Sequence, residues 1–355
     1  MVVASSAEAV SVALLFSLGF ICARFLLDRL VYKPLAVYLF STKASKLMND
    51  EARQAKIVKF SESIWKLTYY ASVQAWVLVI IKQEPWSLDY MQYFDGWPDQ
   101  PIARTLMLFY MCQCGFYVYS IGALVAWETR RKDFSVMMSH HVITSTLIGV
   151  SYVTGFFRIG TIILALHDAS DVFLETAKLC KYTEKELGAS LFFGLFAISW
   201  LLLRLIYFPF WIIKTSSYHS IAFLMKQDEF PTVLYYIFNT MLLTLLVFHV
   251  YWGKLICLMI MRQLNNKGQV TDDVRSDCLL ANGLAHIIGS DHNSIDMSTI
   301  IGLETGKGIC IVLIVNLFYF VIMQILRTTS NRENHSLTSA TCHFFAHTFL
   351  CLLPE

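Results

Sequence analysis

The stretch that decides the fold of this chain is SVMMSHHVITSTLIGVSYV, which runs from Ser135 to Val153. Nearly every residue in it is apolar or small, as in a helix that crosses a membrane, which needs about 20 such residues. Yet His140 and His141 stand side by side inside it. Ionisable side chains at membrane depth are costly, so they are candidates for a functional site. The stretch therefore predicts a membrane helix that carries part of a site.

The composition of the whole chain agrees with this interpretation. Of its 355 residues, 56% are hydrophobic and only 15% are charged, whereas about a quarter of the residues in a soluble domain are charged. The apolar residues fall in long blocks, which predicts an all-α polytopic membrane protein. The nine cysteines are scattered, and this pattern favours helix packing over a disulfide or zinc framework.

Hydropathy predicts about seven transmembrane helices. The predicted spans are 10–27, 64–81, 102–126, 136–153, 159–178, 190–213 and 233–261. An eighth apolar run extends from Ile309 to Leu326. A basic residue, Arg24, follows the first apolar run and none precedes it, which predicts a retained signal anchor.

The lysines and arginines in the predicted loops indicate the orientation. Segments 29–60, 127–135, 178–187 and 262–277 together carry sixteen of them, and the three alternating loops, 82–101, 154–158 and 214–232, carry four. Because basic loops stay in the cytosol, we expect the N-terminus in the lumen and any cavity beside the basic loops to open to the cytosol.

The fifth predicted span carries a polar stripe in the segment LHDASDVFLETAK, from Leu166 to Lys178. At 100° per residue, five ionisable side chains fall within a sector about 100° wide. In order around the helix they are His167, Lys178, Asp171, Glu175 and Asp168. Such a stripe should face a cavity or another polar helix and not lipid.

The histidine pair and the stripe lie at similar predicted depths. His140 is about six residues, or roughly 9 Å, inside the fourth span. Asp171 and Asp168 lie roughly 15 and 20 Å from the cytosolic end of the fifth span. The loop between the two spans is short, so we expect the spans to be antiparallel neighbours and their polar groups to converge in one cavity.

Three interpretations of these polar groups compete. A purely structural ion pair needs neither the second histidine nor the extra carboxylates. A membrane di-iron site needs repeated HxxxH or HxxHH boxes, and the predicted spans have neither spacing, so we expect no metal. A secondary transporter also carries intramembrane Asp and His, but no inverted repeat is visible.

Chemistry by the histidine pair is the interpretation that we favour. Two adjacent imidazoles in a site of low dielectric constant do not both carry a proton comfortably. At least one is then neutral, and it serves as nucleophile or base while a carboxylate fixes the other ring.

Two further spans carry isolated polar residues. Three roles are compatible with Arg204, in SWLLLRLIYFPFW. It binds a phosphate or carboxylate, pairs with an acid of the protein, or reaches the lumenal surface. Asn239 and His249 in the seventh span line the cavity or join neighbouring helices by hydrogen bonds.

The motifs of the fourth and fifth spans resemble a known family. The segment from Arg130 to Leu179 begins with RRKDF, continues with the histidine pair and ends in the block LHDASDVFLE. These elements are similar, in order and spacing, to the core motif of the ceramide synthases, the longevity-assurance branch of the TLC-domain proteins. The resemblance covers roughly 60–277 and the N-terminal span. No homeobox-like insert separates the first two spans, as in the plant and fungal members.

The resemblance implies a reaction and a location. A fatty acyl-CoA N-acylates a sphingoid base, either sphinganine or phytosphingosine, and forms ceramide or dihydroceramide in the endoplasmic reticulum membrane. Acyl-CoA is then a co-substrate, and no other cofactor and no metal are expected. The expected partners are membrane lipids and a second synthase subunit, in a homodimer or heterodimer, but no nucleic acid. The alternative is a non-catalytic TLC-domain protein that handles lipids or works beside the translocon.

The resemblance also implies roles for residues. The catalytic set maps to His140, His141, Asp168 and Asp171. The supporting or substrate-binding residues expected beside them are His167, Glu175, Lys178, Arg130, Arg131, Lys132, Arg204 and Asn239. In the family, the loop before the last span influences acyl-chain selection, which points to the segment from Lys214 to Thr232.

The predicted organisation has three parts. Residues 1–59 form an N-terminal transmembrane helix and a basic linker, residues 60–277 form the catalytic TLC domain, and residues 278–355 form an atypical C-terminal extension. The family pattern predicts a short acidic tail after Asp277, and the extra apolar run departs from it. If that run crosses the membrane, the glycosylation sequon at Asn334 lies in the lumen.

Overall fold

The computed structural model of the chain describes residues 6–41, 50–220 and 232–265, and within these ranges it is helical and has no strand. Its α-helices are α1 (Ser6–Leu27), α2 (Lys33–Leu39), α3 (Asp50–Gln83), α4 (Arg104–Ala126), α5 (Phe134–Val153), α6 (Phe157–Tyr182), α7 (Glu186–Ser199) and α8 (Thr232–Asn265). Its π-helical segments are Asp28–Tyr32, between α1 and α2, and Trp200–Ile213 and Thr215–His219, after α7. Two 3-10 turns, Pro85–Leu88 and Tyr90–Tyr93, lie between α3 and α4. The prediction of an all-α protein is confirmed.

Helices occupy all seven positions at which a span is predicted, and within the described ranges five helical stretches are long and apolar enough to cross a membrane. These five are Glu8–Leu39, Asp50–Gln83, Arg104–Ala126, Glu186–Tyr218 and Val233–Asn265. Helices α5 and α6 fall outside this group because the histidine pair and the ionisable stripe make them more polar. A polytopic membrane protein is therefore shown, and the number seven stays a prediction.

Helix α6 occupies the centre of the helical packing. It packs against α3 and α7, while α4 packs against α1 and α5. Twelve of its side chains are buried, among them the polar residues His167, Asp168 and Glu175. Polar groups can be kept in this position because neighbouring helices, and not lipid, surround them.

A three-residue turn connects α5 to α6 and brings the two helices together. Gly155 adopts a φ of 80° there, a left-handed conformation that favours glycine. The Trp97 indole donates a hydrogen bond to the Thr154 carbonyl (2.7 Å) and stacks on Phe156. The turn joins the end of α5 directly to the start of α6, and the antiparallel packing of the two helices stays a prediction.

The contacts divide the described chain into two units. Residues 6–41, 50–220 and 241–265 belong to one unit, and residues 232–240 belong to the other. In the second unit, the Asn239 amide donates a hydrogen bond to the Tyr235 carbonyl one turn earlier (2.9 Å). The apolar run from Ile309 to Leu326, the extension 278–355 and most of the segment from Lys214 to Thr232 lie outside the described residues.

We predict that Gly115→Ala destabilises the packing of α1 on α4. A Cβ atom at Gly115 would lie 2.6 Å from the Ala13 carbonyl oxygen and 2.7 Å from the Phe16 Cβ, so the two helices must separate. At Gly122, on the same helix, nothing lies within 4 Å of such an atom. There the higher helix propensity of alanine, worth about 1 kcal/mol, acts alone.

Thermal unfolding in detergent measures both variants. The Tm of Gly115→Ala should fall, and that of Gly122→Ala should stay equal or rise. Equal Tm values for the two variants would show that α1 does not pack closely at Gly115.

Candidate functional site

A cavity of about 390 Å³ lies between the helices of the larger unit. Side chains from α3 to α8 line it, together with the loop between α4 and α5. Its ionisable lining residues are Lys59, Lys66, Glu128, Arg130, Arg131, Asp133, His140, His141, Asp171, Glu175, Lys178, Lys181 and Arg204. The structure therefore places the histidine pair and part of the α6 stripe in one cavity.

The charges of the cavity lining are unbalanced. Seven of these residues are lysine or arginine and four are aspartate or glutamate, which leaves three positive charges in excess when the histidines are neutral. An enclosed surface of one sign concentrates ligands of the opposite sign. The cavity therefore favours an anionic ligand.

The two imidazoles lie beside each other and are held mainly by aromatic rings. Their ring centroids are 5.7 Å apart. The Trp252 ring meets His140 edge-on at 5.2 Å, and Tyr117 lies 5.7 Å from His141. The Nδ1 atoms of both histidines are buried without a hydrogen-bond partner in the described part of the chain. Ring nitrogens in this state are available to a ligand.

Asp133 fixes the tryptophan that packs on His140. It occupies the N-cap position of α5, but its side chain makes no capping hydrogen bond, although aspartate is among the best N-cap residues. Its Oδ2 atom instead accepts a hydrogen bond from the Trp252 indole nitrogen (3.0 Å). Both residues are buried. The start of α5 and the ring beside His140 are thus tied to each other.

Arg204 forms an ion pair with Asp171 in the lining of the cavity. Its guanidinium donates hydrogen bonds to Asp171 Oδ2 (2.8 Å) and to the backbone carbonyl of His167 (2.7 Å). It also lies over the ring of Trp200, 4.2 Å from the centroid. Of the three alternatives for this arginine, the structure shows the pairing with an acid.

The ionisable stripe of α6 is divided between the cavity and the helix interfaces. The middle of the stripe, formed by Lys178, Asp171 and Glu175, lines the cavity, whereas the two residues at its edges, His167 and Asp168, do not. A stripe about 100° wide exceeds the sector that one cavity covers. The edge residues therefore turn toward the neighbouring helices.

The edge residues bind partners that are distant in sequence. Asp168 accepts a hydrogen bond from the Gln113 side-chain amide, whose oxygen accepts one from the Tyr69 hydroxyl (2.8 Å). His167 Nε2 lies 2.8 Å from His249 Nε2, and its Nδ1 lies 2.6 Å from the Ile163 carbonyl oxygen. These contacts join α6 to α4, α3 and α8.

The remaining predicted site residues are placed differently. Arg130 and Arg131 line the cavity, but Lys132 does not. Asn239 lies in the separate unit 232–240. Among the residues that the structure describes, no group of three His, Cys, Asp or Glu side chains could hold a metal ion.

The loop between α4 and α5 is held by residues of α3 that the sequence analysis did not single out. Glu62 of α3 is buried and accepts hydrogen bonds from the backbone and the hydroxyl of Thr129 (3.2 and 3.0 Å). Lys66, one turn later, pairs with Glu128 (2.8 Å). Burial acts to raise the pKa of the Glu128 carboxyl, but Lys66 and Arg131 together hold the pKa below its usual value. The spacing of Glu62 and Lys66, i and i+4, is the signal that they share a helix face.

We predict that Trp252→Phe destabilises the protein although an aromatic ring remains. The variant removes the indole N–H that donates a hydrogen bond to Asp133. The loss of a donor to a buried carboxylate lowers the free energy of unfolding by about 1–3 kcal/mol. The matched control is Trp211→Phe, because Trp211 is half exposed. Thermal unfolding should show a lower Tm for Trp252→Phe only, and an equal effect of the two variants would contradict the role of Asp133.

Comparison with known proteins places this site in a known domain family. Residues 59–258 match the family described as the TLC domain. The chain is 85% identical to "ASC1-like protein 3" of Oryza sativa subsp. japonica over 264 aligned residues. This alignment covers 74% of this chain and 93% of the relative. The chain is 59% identical over 267 residues to "Ceramide synthase LOH2" of Arabidopsis thaliana, covering 75% of this chain and 90% of the relative. It is 34% identical over 228 residues to "Ceramide synthase 5" of Homo sapiens, covering 64% of this chain and 56% of the relative. All the ionisable residues of the cavity lie inside the matched region.

Proposed function

Because the chain belongs to the TLC-domain family, in the branch of the plant ceramide synthases, we propose that it synthesises ceramide by transferring a fatty acyl group from acyl-CoA to the amino group of a sphingoid base. The observation that carries this proposal is the position of His140 and His141. Both line one cavity rich in cations, and each has a buried ring nitrogen without a hydrogen-bond partner among the residues that the structure describes.

The cavity matches the chemical character of acyl-CoA. The phosphates of CoA are anionic, and the loop that carries Arg130 and Arg131 contributes to the positive lining. The opposite requirement, an apolar surface for an acyl chain, is met by Phe193, Phe196 and Ile256 in the same lining. One cavity therefore offers both the cationic and the apolar lining that a ligand with an anionic head and an apolar tail needs.

The histidine pair supports acyl transfer in either of two ways. In the first, an imidazole nitrogen attacks the thioester carbonyl, the C–S bond breaks, and the CoA thiolate leaves and takes up a proton. The amine of the base then attacks the acyl-imidazole, the imidazole leaves, and the amine proton passes to the released ring. In the second, the imidazole removes a proton from the amine while the amine attacks the thioester directly. The C–S bond then breaks, and the CoA thiolate leaves and takes up the proton from the imidazolium.

The carboxylates near the pair have different parts in this proposal. Asp171 faces the cavity, and its carboxylate, bound by Arg204, can accept a hydrogen bond from a reacting group there. Asp168 does not line the cavity and is bound by Gln113. We therefore assign Asp168 to the positioning of α6 and Asp171 to the reaction itself.

We predict that His140→Ala and His141→Ala each reduce acyl transfer by a factor of about 10²–10⁴, as the loss of a catalytic acid or base does. The matched control is Val142→Ala, because Val142 follows the pair on α5 and its side chain is exposed on the outer face. Membranes from a heterologous host without this activity receive sphinganine and labelled acyl-CoA, and the amide product is measured.

Protein abundance and Tm must be equal for the three variants. Undiminished product from His140→Ala would contradict both forms of the mechanism. No product from the wild-type chain, despite correct folding, would instead favour the non-catalytic TLC-domain alternative.

We further propose that the protein lies in the endoplasmic reticulum membrane with its N-terminus in the lumen and the cavity open to the cytosol. The sixteen-to-four distribution of lysine and arginine among the predicted loops supports this orientation.

A glycosylation reporter tests the orientation. In an Asn334→Gln background, an acceptor sequon inserted in the loop 82–101 should be glycosylated in microsomes. The same sequon inserted between α6 and α7, at 183–185, should stay unmodified. The reverse pattern would place the cavity mouth on the lumenal side.

A further inference from the structure

Glu175 carries a buried carboxylate oxygen to which none of the described residues donates a hydrogen bond. The residue lies on α6, is 3% exposed and lines the cavity. Its Oε1 atom accepts a hydrogen bond from Lys178 (2.6 Å), but its Oε2 atom is buried without a hydrogen-bond partner among the described residues. A buried acceptor in this state costs free energy, and a ligand that donates a hydrogen bond would recover it.

The surroundings of Glu175 determine which donor fits. Lys178 binds it directly, and Lys66 and Arg131 act on it electrostatically. A further cation would be repelled by these three groups. A neutral O–H group adds no charge and forms a short, strong hydrogen bond to a carboxylate. The site therefore selects a hydroxyl donor over an ammonium group.

Glu175 also lies beside the groups that are expected to react. It stands one helical turn after Asp171, and both residues line the cavity that contains His140 and His141. A sphingoid base carries hydroxyl groups on the two carbons that flank its amine carbon. When the amine reaches the histidine pair, at least one hydroxyl must therefore lie within a few ångströms of it.

We propose that Glu175 Oε2 accepts a hydrogen bond from a hydroxyl group of the long-chain base and so recognises the acceptor substrate. This inference rests on the proposed function, and it adds a specificity-determining contact to that function. The occupant is the polar head of a long-chain amino alcohol, held on α6 while its amine faces α5.

Substrates that lack one hydroxyl test the contact. The values of kcat/KM are compared for sphinganine, for 2-amino-3-octadecanol, which lacks the 1-hydroxyl, and for 2-amino-1-octadecanol, which lacks the 3-hydroxyl. The wild-type chain should prefer sphinganine to one of the analogues by about 10-fold or more, as expected for a hydrogen bond to a charged group. In Glu175→Gln this preference should largely disappear.

Two further variants make the test specific. Glu175→Asp keeps the charge but shortens the side chain, so it should also lose most of the preference. Glu128→Gln is the matched control, because Glu128 is another lysine-paired carboxylate of the same cavity. A lower total activity of Glu128→Gln is compatible with the inference. Its preference for sphinganine over the analogue that lacks the hydroxyl should equal that of the wild type.

The outcomes separate this inference from the proposed function. An active wild-type chain whose hydroxyl preference is unchanged in Glu175→Gln and Glu175→Asp would overturn the inference alone. A higher KM for acyl-CoA with an unchanged hydroxyl preference would overturn it as well and assign Glu175 to the CoA arm. A well-folded wild-type chain that forms no amide would overturn the proposed function, and the inference with it.

Discussion

The ion pair between Arg204 and Asp171 is the interaction on which the rest of the site depends. A guanidinium inside an apolar bundle is tolerated only when its charge and its N–H groups are satisfied. Asp171, the His167 carbonyl and the face of Trp200 together provide this. Because two of these partners belong to α6, the pair fixes α6 against the π-helical segment Trp200–Ile213 and determines which of its faces lines the cavity.

The rotation of α6 accounts for the different positions of its ionisable residues. Once Asp171 faces Arg204, Glu175 and Lys178 lie on the cavity side, and Asp168 and His167 turn toward Gln113 and His249. The family motif treats Asp168 and Asp171 as equivalent members of one block. The structure gives them different surroundings, one closed between helices and one open to the cavity, and this difference supports separate roles in acyl transfer.

The fold and the centre of the site follow from the sequence because both rest on local patterns. The apolar period predicts the helices, and the 100° step of α6 predicts that its ionisable residues share a face. The partners of these residues could not be predicted in the same way. Gln113 lies 55 residues from Asp168, His249 lies 82 from His167, and Trp252 lies 119 from Asp133. Such pairs depend on how the helices pack, which no local pattern contains. The number of membrane spans is also uncertain from local patterns, because α5 and α6 carry polar groups of the site in place of apolar residues.

The loop between α4 and α5 links the electrostatics of the cavity to the position of the histidines. Glu62 and Lys66 hold its first half on α3, and Asp133 holds its end on Trp252. The arginines that it carries therefore stand at fixed positions relative to the imidazoles on α5. An anionic group bound by this loop would be held at a defined distance from the imidazoles, as the proposed acyl transfer requires.

A structure of the protein with a non-hydrolysable acyl-CoA analogue tests the central claim most directly. The account predicts that the CoA phosphates lie at the loop that carries Arg130 and Arg131, and that the carbon replacing the thioester carbonyl lies about 3–4 Å from a ring nitrogen of His140 or His141. An analogue bound at the opposite end of the helices, or with its reactive carbon far from both imidazoles, would contradict it.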